Sequence, residues 1–299
     1  MSSPKVLGNL AAFLAASLFG VTVVVTRVVI QEVPPLSLAV FRFGQGGFVL
    51  FLCLFIGARD LLKVKSNDLP FLILLGGIFF ALFPMTFHLG ISRTEASRGA
   101  LMIATMPIWS ACLARLAGKE KLIPRQAMGV LVTFVGVGVV LAERGLSWQS
   151  TASTLAGDGL MLLTAFFGAA YGVLAKRLLE RYPALTVTTY AMIFGTLLLF
   201  PAALVEGLPH SLTRIEGNLG LMILFLGIIG GALGFLLWTF ALTNLSPTQV
   251  AVYGNLNPMV ATILGVALLA EKLTWTFAVG FVAIVAGVLV VNWPSRDLS

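Results

Sequence analysis

The chain is built from apolar runs of about 20 residues, separated by short polar breaks. An α-helix of that length spans the hydrocarbon core of a bilayer, because each residue adds about 1.5 Å. Only 10% of the 299 residues are charged, while 59% are hydrophobic. A soluble domain carries about 25% charged residues, so this chain lacks the polar surface that folding in water requires. The pattern predicts an all-α integral membrane protein.

Ten runs qualify as membrane spans, and most of their connections are short enough for antiparallel hairpins. The predicted spans are Gly8–Ile30, Leu36–Ile56, Leu69–Ile91, Glu95–Ala117, Ile123–Ala142, Gly157–Leu179, Ala184–Val205, Gly217–Asn244, Ser246–Ala270 and Thr274–Asn292. The longest break, Glu143–Ala156, falls at the middle of the chain. We therefore expect two five-helix halves, residues 1–145 and 157–299, joined by a linker at 146–156.

The two halves repeat each other in sequence. A shift of 151 residues superimposes Gly76 on Gly227, Pro107 on Pro258, and Glu120-Lys121-Leu122 on Glu271-Lys272-Leu273. A shift of 149 aligns the starts of the halves, with Gly8 on Gly157 and Pro34 on Pro183. Chance apolar similarity would not align proline, glycine and a Glu-Lys pair together. Because five is an odd number of spans, the second half enters from the opposite side, which predicts the inverted-topology repeat common among transporters.

Basic residues in the breaks predict the orientation. One side of the membrane would carry Lys5, Arg59, Lys63, Lys65, Arg115, Lys119, Lys121, Arg125, Lys176, Arg177, Arg181 and Arg296. The other side would carry only Arg27, Arg93, Arg98, Arg144, Arg214 and Lys272. The positive-inside rule then predicts that both termini are cytoplasmic. The net charge of +7 therefore reflects topology and not a nucleic-acid partner.

A set of residues at fixed places in the spans carries a family resemblance. These residues are Phe19-Gly20 in span 1, Pro35 and Arg42 at the start of span 2, Pro107 and Pro258 in spans 4 and 9, and the span-ending Glu120 and Glu271. Together with the ten spans in two halves, they resemble the drug/metabolite transporter superfamily, in its form with two EamA domains. The chain is most similar to bacterial exporters of aromatic and other amino acids. The resemblance implies a multi-pass protein of the inner (cytoplasmic) membrane that exports substrate by alternating access.

Spans 4 and 9 offer the main candidates for substrate binding. The candidates in these spans are Met102, Met106 and Trp109, and Tyr253, Asn255 and Asn257. The 151 shift pairs Met102 with Tyr253 and Met106 with Asn257, so an adaptable apolar face would meet a polar one. Asparagine can donate and accept hydrogen bonds, as an amino-acid head group requires. Asparagine as polar glue between helices is the alternative interpretation.

Further candidates lie on spans 2, 3, 6 and 8: Phe83, Tyr171, Trp238, His88 and Arg42. Trp238 also fits an interfacial aromatic belt, and His88 an interfacial polar position. Arg42 is a functional candidate because it is a charge inside a span, although it could also snorkel to the outer interface.

Three mid-span prolines, Pro84, Pro107 and Pro258, are candidate hinges, since each removes an intrahelical hydrogen bond. Static kinks that improve packing are the alternative. The matching positions of Pro107 and Pro258 favour a hinge for that pair.

The acidic residues all lie near span ends or in breaks, which favours a facilitator or exchanger over a proton pump. Glu95 fits a helix-start charge better than a mid-membrane carboxylate. An enzyme would need clustered His, Asp, Glu or Cys, and a channel would need a filter, so neither class fits. An apolar or aromatic amino acid suits the candidate residues, with organic cations or other drug-like metabolites as the alternative substrates. We expect no cofactor or metal, and a monomer in the bilayer suffices, although a dimer is compatible with the sequence.

Overall fold

A computed structural model describes residues 4–94, 96–118, 123–143, 151–260, 263–264 and 275–293 of the protein. Within these residues every regular element is helical. The α-helices of the first part are α1 (Pro4–Val29), α2 (Pro35–Gly57), α3 (Leu69–Gly76), α4 (Phe83–Ile91), α5 (Ala96–Ile103), α6 (Met106–Leu116) and α7 (Pro124–Glu143). Two short 3-10 turns, Arg59–Leu62 and Ser66–Asp68, connect α2 to α3.

The second part has α8 (Ala152–Leu179), α9 (Ala184–Glu206), α10 (Leu208–Leu212), α11 (Gly217–Phe225), α12 (Gly234–Asn244), α13 (Pro247–Tyr253) and α14 (Trp275–Asn292). Ser246 begins α13 with a capping box, in which its side chain accepts from the Gln249 backbone amide while the Gln249 side chain accepts from the Ser246 amide. Residues 257–260 and 263–264 are also helical.

Seven helical stretches among the described residues are long and apolar enough to cross a membrane. They are Pro4–Val29, Pro35–Gly57, Ser66–Ile91, Arg98–Leu116, Ala152–Leu179, Ala184–Glu206 and Gly217–Asn244. Large apolar side chains face outwards from them, such as Ile56, Leu116 and Val205, which are 78%, 84% and 92% exposed. Water would penalise such a surface, whereas lipid solvates it. The chain is thus a multi-pass membrane protein.

The predicted spans coincide with observed helices to within a few residues over most of the chain. The eighth span, Gly217–Asn244, has the predicted bounds. Helix α8 begins at Ala152, inside the predicted linker, because Thr151 caps it by accepting from the Thr154 backbone amide. Residues 119–122, 144–150 and 265–274 lie outside the described residues. Glu120 and Glu271 fall in these ranges, and Glu95 also lies outside the described residues.

Two spans contain a stretch of π-helix, which the sequence analysis did not predict. Gly77–Leu82 lies between α3 and α4, and Leu226–Leu233 lies between α11 and α12. The two stretches end 151 positions apart, at Leu82 and Leu233. A π-helix widens the helical turn and is frequent at functional sites.

Two other spans are interrupted near their middles. A turn at residues 104–105 separates α5 from α6, and the 3-10 turn Gly254–Leu256 follows α13. Pro107 lies in the first turn of α6, where its missing amide proton costs nothing because no intrahelical acceptor is available. Pro258 follows the second interruption by two residues. The same 151 shift relates the two interruptions.

Glycines bring two helix pairs into close antiparallel contact. A methyl group added to Gly47 of α2 would lie 3.2 Å from Ile193 of α9, and one added to Gly44 would lie 3.6 Å from Thr196. Likewise, a methyl group added to Gly129 of α7 would lie 2.9 Å from the carbonyl oxygen of Gly287 in α14. Small residues allow such backbone approach between membrane helices.

One helix contact occurs twice. A methyl group on Gly8 of α1 would lie 2.8 Å from Cβ of Asn244, and one on Gly157 of α8 would lie 3.0 Å from Cβ of Arg93. Gly8 and Gly157 are 149 positions apart, while Arg93 and Asn244 are 151 apart. The sequence shifts therefore reappear as equivalent contacts between different helices.

Candidate functional site

A buried group of aromatic rings fills the centre of the bundle. We call it the central cluster; its members are Phe19, Phe43, Phe79, Phe80, Phe83, Tyr171, Phe235 and Trp238. Phe235 is the hub, with ring centroids 4.8 Å from Phe19 and 5.4 Å from Phe79. The rings come from α1, α2, α4, α8, α12 and the π-helix Gly77–Leu82. That π-helix presents the consecutive Phe79 and Phe80 to the same cluster, with centroids 5.2 Å apart.

Three residues expected at the site lie in the central cluster: Phe83, Tyr171 and Trp238. Tyr171 is fully buried, its ring lies 4.6 Å from Phe79, and its hydroxyl shares a 3.0 Å hydrogen bond with Thr239 Oγ1. Trp238 is only 7% exposed, so its ring lies inside the bundle and not at the surface. The five other cluster rings were not among the expected site residues.

Met106 links the interruption after α5 to the one after α13. A methyl group added to Gly168 would lie 2.6 Å from Sδ of Met106, and one added to Gly254 would lie 3.3 Å from its Cε. Met102 accepts at its carbonyl from the Thr105 hydroxyl, which closes the turn. Trp109 points to a different neighbour, since its ring meets Phe166 edge-on at 5.7 Å. The structure thus joins Met106 to the 254–257 segment and places Trp109 against α8.

The polar side chains of the 253–257 segment differ in how well they are satisfied. Tyr253 donates a 2.9 Å hydrogen bond to Asn9 Oδ1 of α1. Nδ2 of Asn255 and Oδ1 of Asn257 are buried and have no hydrogen-bond partner among the described residues. A buried polar group without a partner costs about 1–3 kcal/mol, so these two amides are costly unless something else binds them.

Arg42 lies at the edge of the central cluster. Its guanidinium carbon is 5.8 Å from the Phe43 ring centroid and 5.9 Å from that of Phe235. Nη2 donates two long bonds of 3.4 Å, to Thr22 Oγ1 and to the carbonyl of Gly230. Its Nε is buried and makes no hydrogen bond to any residue that the structure describes.

His88 lies elsewhere, at the ends of α4 and α9. Its Nε2 is 3.7 Å from Oε1 of Glu206, whose Oε2 accepts from the backbone amide and hydroxyl of Ser37. The structure therefore pairs His88 with a carboxylate and does not bring it to the central cluster. Pro84 lies in the first turn of α4, directly after a π-helix. Pro84, Pro107 and Pro258 each stand at the start of a regular helical stretch, next to a change of helical geometry.

Two ion pairs tie the ends of helices together. Arg98 binds Asp158 through two guanidinium nitrogens, and the Thr94 hydroxyl donates to the same carboxylate at 2.5 Å. Asp68 accepts from Arg181 at 2.9 Å and from the Tyr182 hydroxyl at 2.8 Å. The sequence analysis missed both pairs, because their partners are 60 and 113 residues apart. No periodic pattern connects positions so distant.

A cavity of about 480 Å³ lies away from the central cluster, at the connection between α12 and α13. Its lining includes Lys176, Glu180, Leu242 and residues 243–247. This cavity is partly open and has a polar lining, whereas the central cluster is aromatic and mostly buried.

The fold, with its interrupted spans around a buried centre, defines a polytopic helical membrane protein whose irregular backbone lies inside the bundle. Interrupted spans around a midplane site are typical of secondary transporters. The sequence profile of the EamA-like transporter family matches twice, over residues 6–142 and 155–293. The chain belongs to the EamA-like transporter family, within the drug/metabolite transporter superfamily, and it is a membrane transporter.

Several relatives carry transporter names. An "Uncharacterized transporter" of Archaeoglobus fulgidus is 30% identical, with 88% of this chain and 89% of the relative aligned. A "Probable amino-acid metabolite efflux pump" of Salmonella typhimurium is 28% identical over 93% of this chain and 92% of its own length. A "Probable terminal-alkyne amino-acid exporter" of Streptantibioticus cattleyicolor is 27% identical over 79% and 77%. A crystal structure with a TM-score of 0.81 and 21% identity covers 98% of both chains, which establishes the likeness of fold.

Proposed function

We propose that this transporter exports amino acids with aromatic or other apolar side chains from the cytoplasm by alternating access through the bundle centre. The observation that carries the proposal is the meeting of Met106 with the 254–257 segment beside the central cluster. There, aromatic and thioether surface adjoins two amides without partners, Asn255 and Asn257. Such a surface suits a molecule with an apolar side chain and a polar head group. The names of the Salmonella and Streptantibioticus relatives, which refer to amino acids, support the same substrate class.

We further propose ten spans arranged as two inverted halves, residues 1–145 and 157–299, with residues 146–156 as linker and both termini cytoplasmic. The antiparallel contacts of α2 with α9 and of α7 with α14 support this arrangement. Each pair joins a helix to its own equivalent in the other half. Equivalent helices that pack antiparallel are related by a two-fold axis across them, which lies in the membrane plane for spanning helices.

This topology also assigns each end of the bundle to one side of the membrane. The Arg98–Asp158 pair lies at the outer end, and the cavity at the connection between α12 and α13 lies at the inner end. A cavity open on the inner side and an ion pair on the outer side support uptake of substrate from the cytoplasm. The membrane would be the inner (cytoplasmic) membrane, and one chain contains both halves, so a monomer is sufficient.

The energy source proposed is the substrate gradient, through facilitated or exchange transport. Asp158 and Asp68 are the most buried carboxylates of the described residues, at 8% exposure each, and both are held by arginine partners. A carboxylate held in this way is less available to carry protons than a free one at the midplane. Organic cations remain the alternative substrates, but the charge of Arg42, which no described carboxylate pairs with, disfavours a cation at the centre.

Counterflow in proteoliposomes tests the substrate class. Vesicles preloaded with unlabelled phenylalanine should accumulate labelled phenylalanine, and an aromatic amino-acid panel should compete more strongly than organic cations or nucleotide sugars. Stimulation by organic cations but by no aromatic amino acid would replace the proposal with its alternative. Accumulation that requires an imposed pH gradient would contradict the facilitator or exchanger mechanism.

Two substitutions test the site itself. Met106→Ala and Asn257→Ala should each lower counterflow about 10-fold, since a thioether contact or a hydrogen bond to a bound molecule contributes about 1–1.5 kcal/mol. Phe48→Ala is a matched control, because Phe48 is 60% exposed on the outer face of α2. Unchanged kinetics in both site variants would place the binding site elsewhere.

A further inference from the structure

We propose that the guanidinium of Arg42 is a carboxylate-binding site, which receives the carboxylate of the transported molecule. The inference builds on the proposed function, which names amino acids but assigns no residue to their carboxylate. Arg42 lies deep in the bundle, its guanidinium has donors that no described residue satisfies, and it contacts Gly230 and two rings of the central cluster.

The depth of Arg42 follows from its contacts. It lies seven residues after the start of α2, or roughly 10 Å along the helix axis. Its Nη2 reaches the carbonyl of Gly230, which is the fourteenth residue of the 28-residue span Gly217–Asn244. The guanidinium is therefore level with the middle of that span. A side chain that snorkelled to the interface would point away from this level.

The charge of Arg42 is not compensated within the described part of the chain. No carboxylate oxygen of the described residues lies within 4.0 Å of it. A guanidinium offers five donors, yet the two bonds it makes are both 3.4 Å long and its buried Nε makes none. By contrast, Arg98 and Arg181 each bind a carboxylate. A charge inside a membrane protein is retained where it binds a partner, and the partner of Arg42 is not part of the described protein.

The surroundings of Arg42 combine backbone and aromatic groups. A methyl group on Gly230 would lie 3.1 Å from Nη2 of Arg42 and 2.5 Å from Thr22 Cγ2, so glycine lets the backbone approach the guanidinium this closely. The π-helix Leu226–Leu233 turns the Gly230 carbonyl towards the guanidinium. On the other side lie the Phe43 and Phe235 rings of the central cluster. A carboxylate bound at Arg42 would thus have aromatic surface next to it for an apolar side chain.

The 254–257 segment contacts α1 close to Thr22. Thr22, which contacts Arg42, donates its hydroxyl to the Phe19 carbonyl. A methyl group on Gly20 would lie 3.0 Å from the Asn257 carbonyl oxygen. Gly20 and Thr22 are two residues apart, or about 3 Å along the helix axis. We expect the ammonium group of an amino acid bound at Arg42 to meet the 254–257 segment, where Oδ1 of Asn257 has no partner among the described residues.

The two halves differ at the position of Arg42. The proposed carboxylate site therefore occurs once in the bundle and binds its substrate in one orientation. The 149 shift aligns Arg42 with Ala191, a fully buried residue with no charge. The repeat therefore supplies one guanidinium at the centre and not two.

The test measures binding to the full-length protein in detergent, by calorimetry, with three probes of one shape. The probes are 3-phenylpropionate, its neutral amide 3-phenylpropionamide, and the cation phenethylamine. Wild type should bind the carboxylate more tightly than the amide. Arg42→Gln should weaken carboxylate binding about 10- to 100-fold, as expected for a lost charge-assisted pair, and should leave amide binding within about twofold. Arg42→Lys keeps the charge but lacks the planar guanidinium. Its affinity for the carboxylate should therefore lie between those of wild type and Arg42→Gln. Arg27→Gln, at the exposed end of α1, is the matched control.

Each outcome separates this inference from the proposed function. Equal loss of carboxylate and amide binding in Arg42→Gln would make Arg42 structural and overturn the inference. Equal affinities of wild type for the carboxylate and for the amide would also overturn the inference. Chloride that stabilises the protein as much as 3-phenylpropionate does would overturn it as well. Arg42-dependent binding of 3-phenylpropionate without counterflow of any amino acid would keep the carboxylate site and refute amino-acid export. If Arg42→Gln does not fold, Arg42→Lys replaces it, and a carboxylate preference in Arg42→Lys equal to that of wild type would overturn the inference.

Discussion

The two buried carboxylates at the ends of the bundle and the side chains at its centre differ in how far their polar groups are satisfied. Asp158 and Asp68 each accept from an arginine and from a hydroxyl. At the centre, Arg42, Asn255 and Asn257 each have a buried atom with no hydrogen-bond partner among the described residues. Glu206 Oε1, at a helix end, also lacks one, so the contrast concerns the two ion pairs and not the ends as a whole. Each unsatisfied group costs free energy, and we therefore propose that a bound molecule completes the centre.

Removal of the Asp158 carboxylate should have the largest effect on stability. Asp158→Ala leaves the buried Arg98 without its carboxylate, and loss of one partner of a buried pair costs about 3 kcal/mol in the free energy of unfolding. Denaturant titration of the purified protein in detergent would measure it. Asp60→Ala removes the fully exposed pair with Lys63 and should cause no measurable change. Equal midpoints for the two variants would show that the ends do not stabilise the fold.

An apolar substitution at the centre should behave in the opposite way. Asn255→Leu replaces a buried side chain that has an unpartnered Nδ2, so stability should be retained or rise by about 1 kcal/mol, while counterflow should fall about 10-fold. Unfolding and counterflow measurements on one preparation would show the separation. A parallel fall in both quantities would mean that Asn255 is structural.

The Tyr171–Thr239 hydrogen bond lies at the centre of the bundle, but both of its hydroxyl groups have a partner. Its loss should therefore affect stability less than loss of the Asp158 carboxylate. Tyr171→Phe should lower the free energy of unfolding by about 1 kcal/mol. A double-mutant cycle with Thr239→Val would isolate the pair, and we expect the second substitution to cost less once the first is made. Additive effects would show that the bond contributes nothing of its own.

The smallest effect is expected at Arg181. Its side chain is 54% exposed, so solvent screens its pair with Asp68. Arg181→Gln should change stability by about 0.5 kcal/mol, and high salt should reduce the difference further. A loss as large as that of Asp158→Ala would remove the distinction between buried and exposed pairs.

The sequence predicted the helices better than the site. Apolar runs defined spans such as Gly217–Asn244, and proline predicted the irregularity beside Pro107, because both signals are local. The π-helices were not predicted, since a change of hydrogen-bond register leaves an apolar run unchanged. Phe79 and Phe235 were missed because every face of an apolar span looks similar, so periodicity does not distinguish the centre from lipid. The central position of Arg42 depends on Gly230, 188 residues away, and local patterns carry no such information.

The affinity for phenylalanine of wild type and Asn257→Ala, measured side by side with thermal midpoints, tests most directly whether the centre is a ligand site. Our account predicts saturable binding by wild type, binding about 10-fold weaker in Asn257→Ala, and the same midpoint for both proteins without ligand. Equal affinities, or a weaker affinity that merely accompanies a lower midpoint, would contradict it.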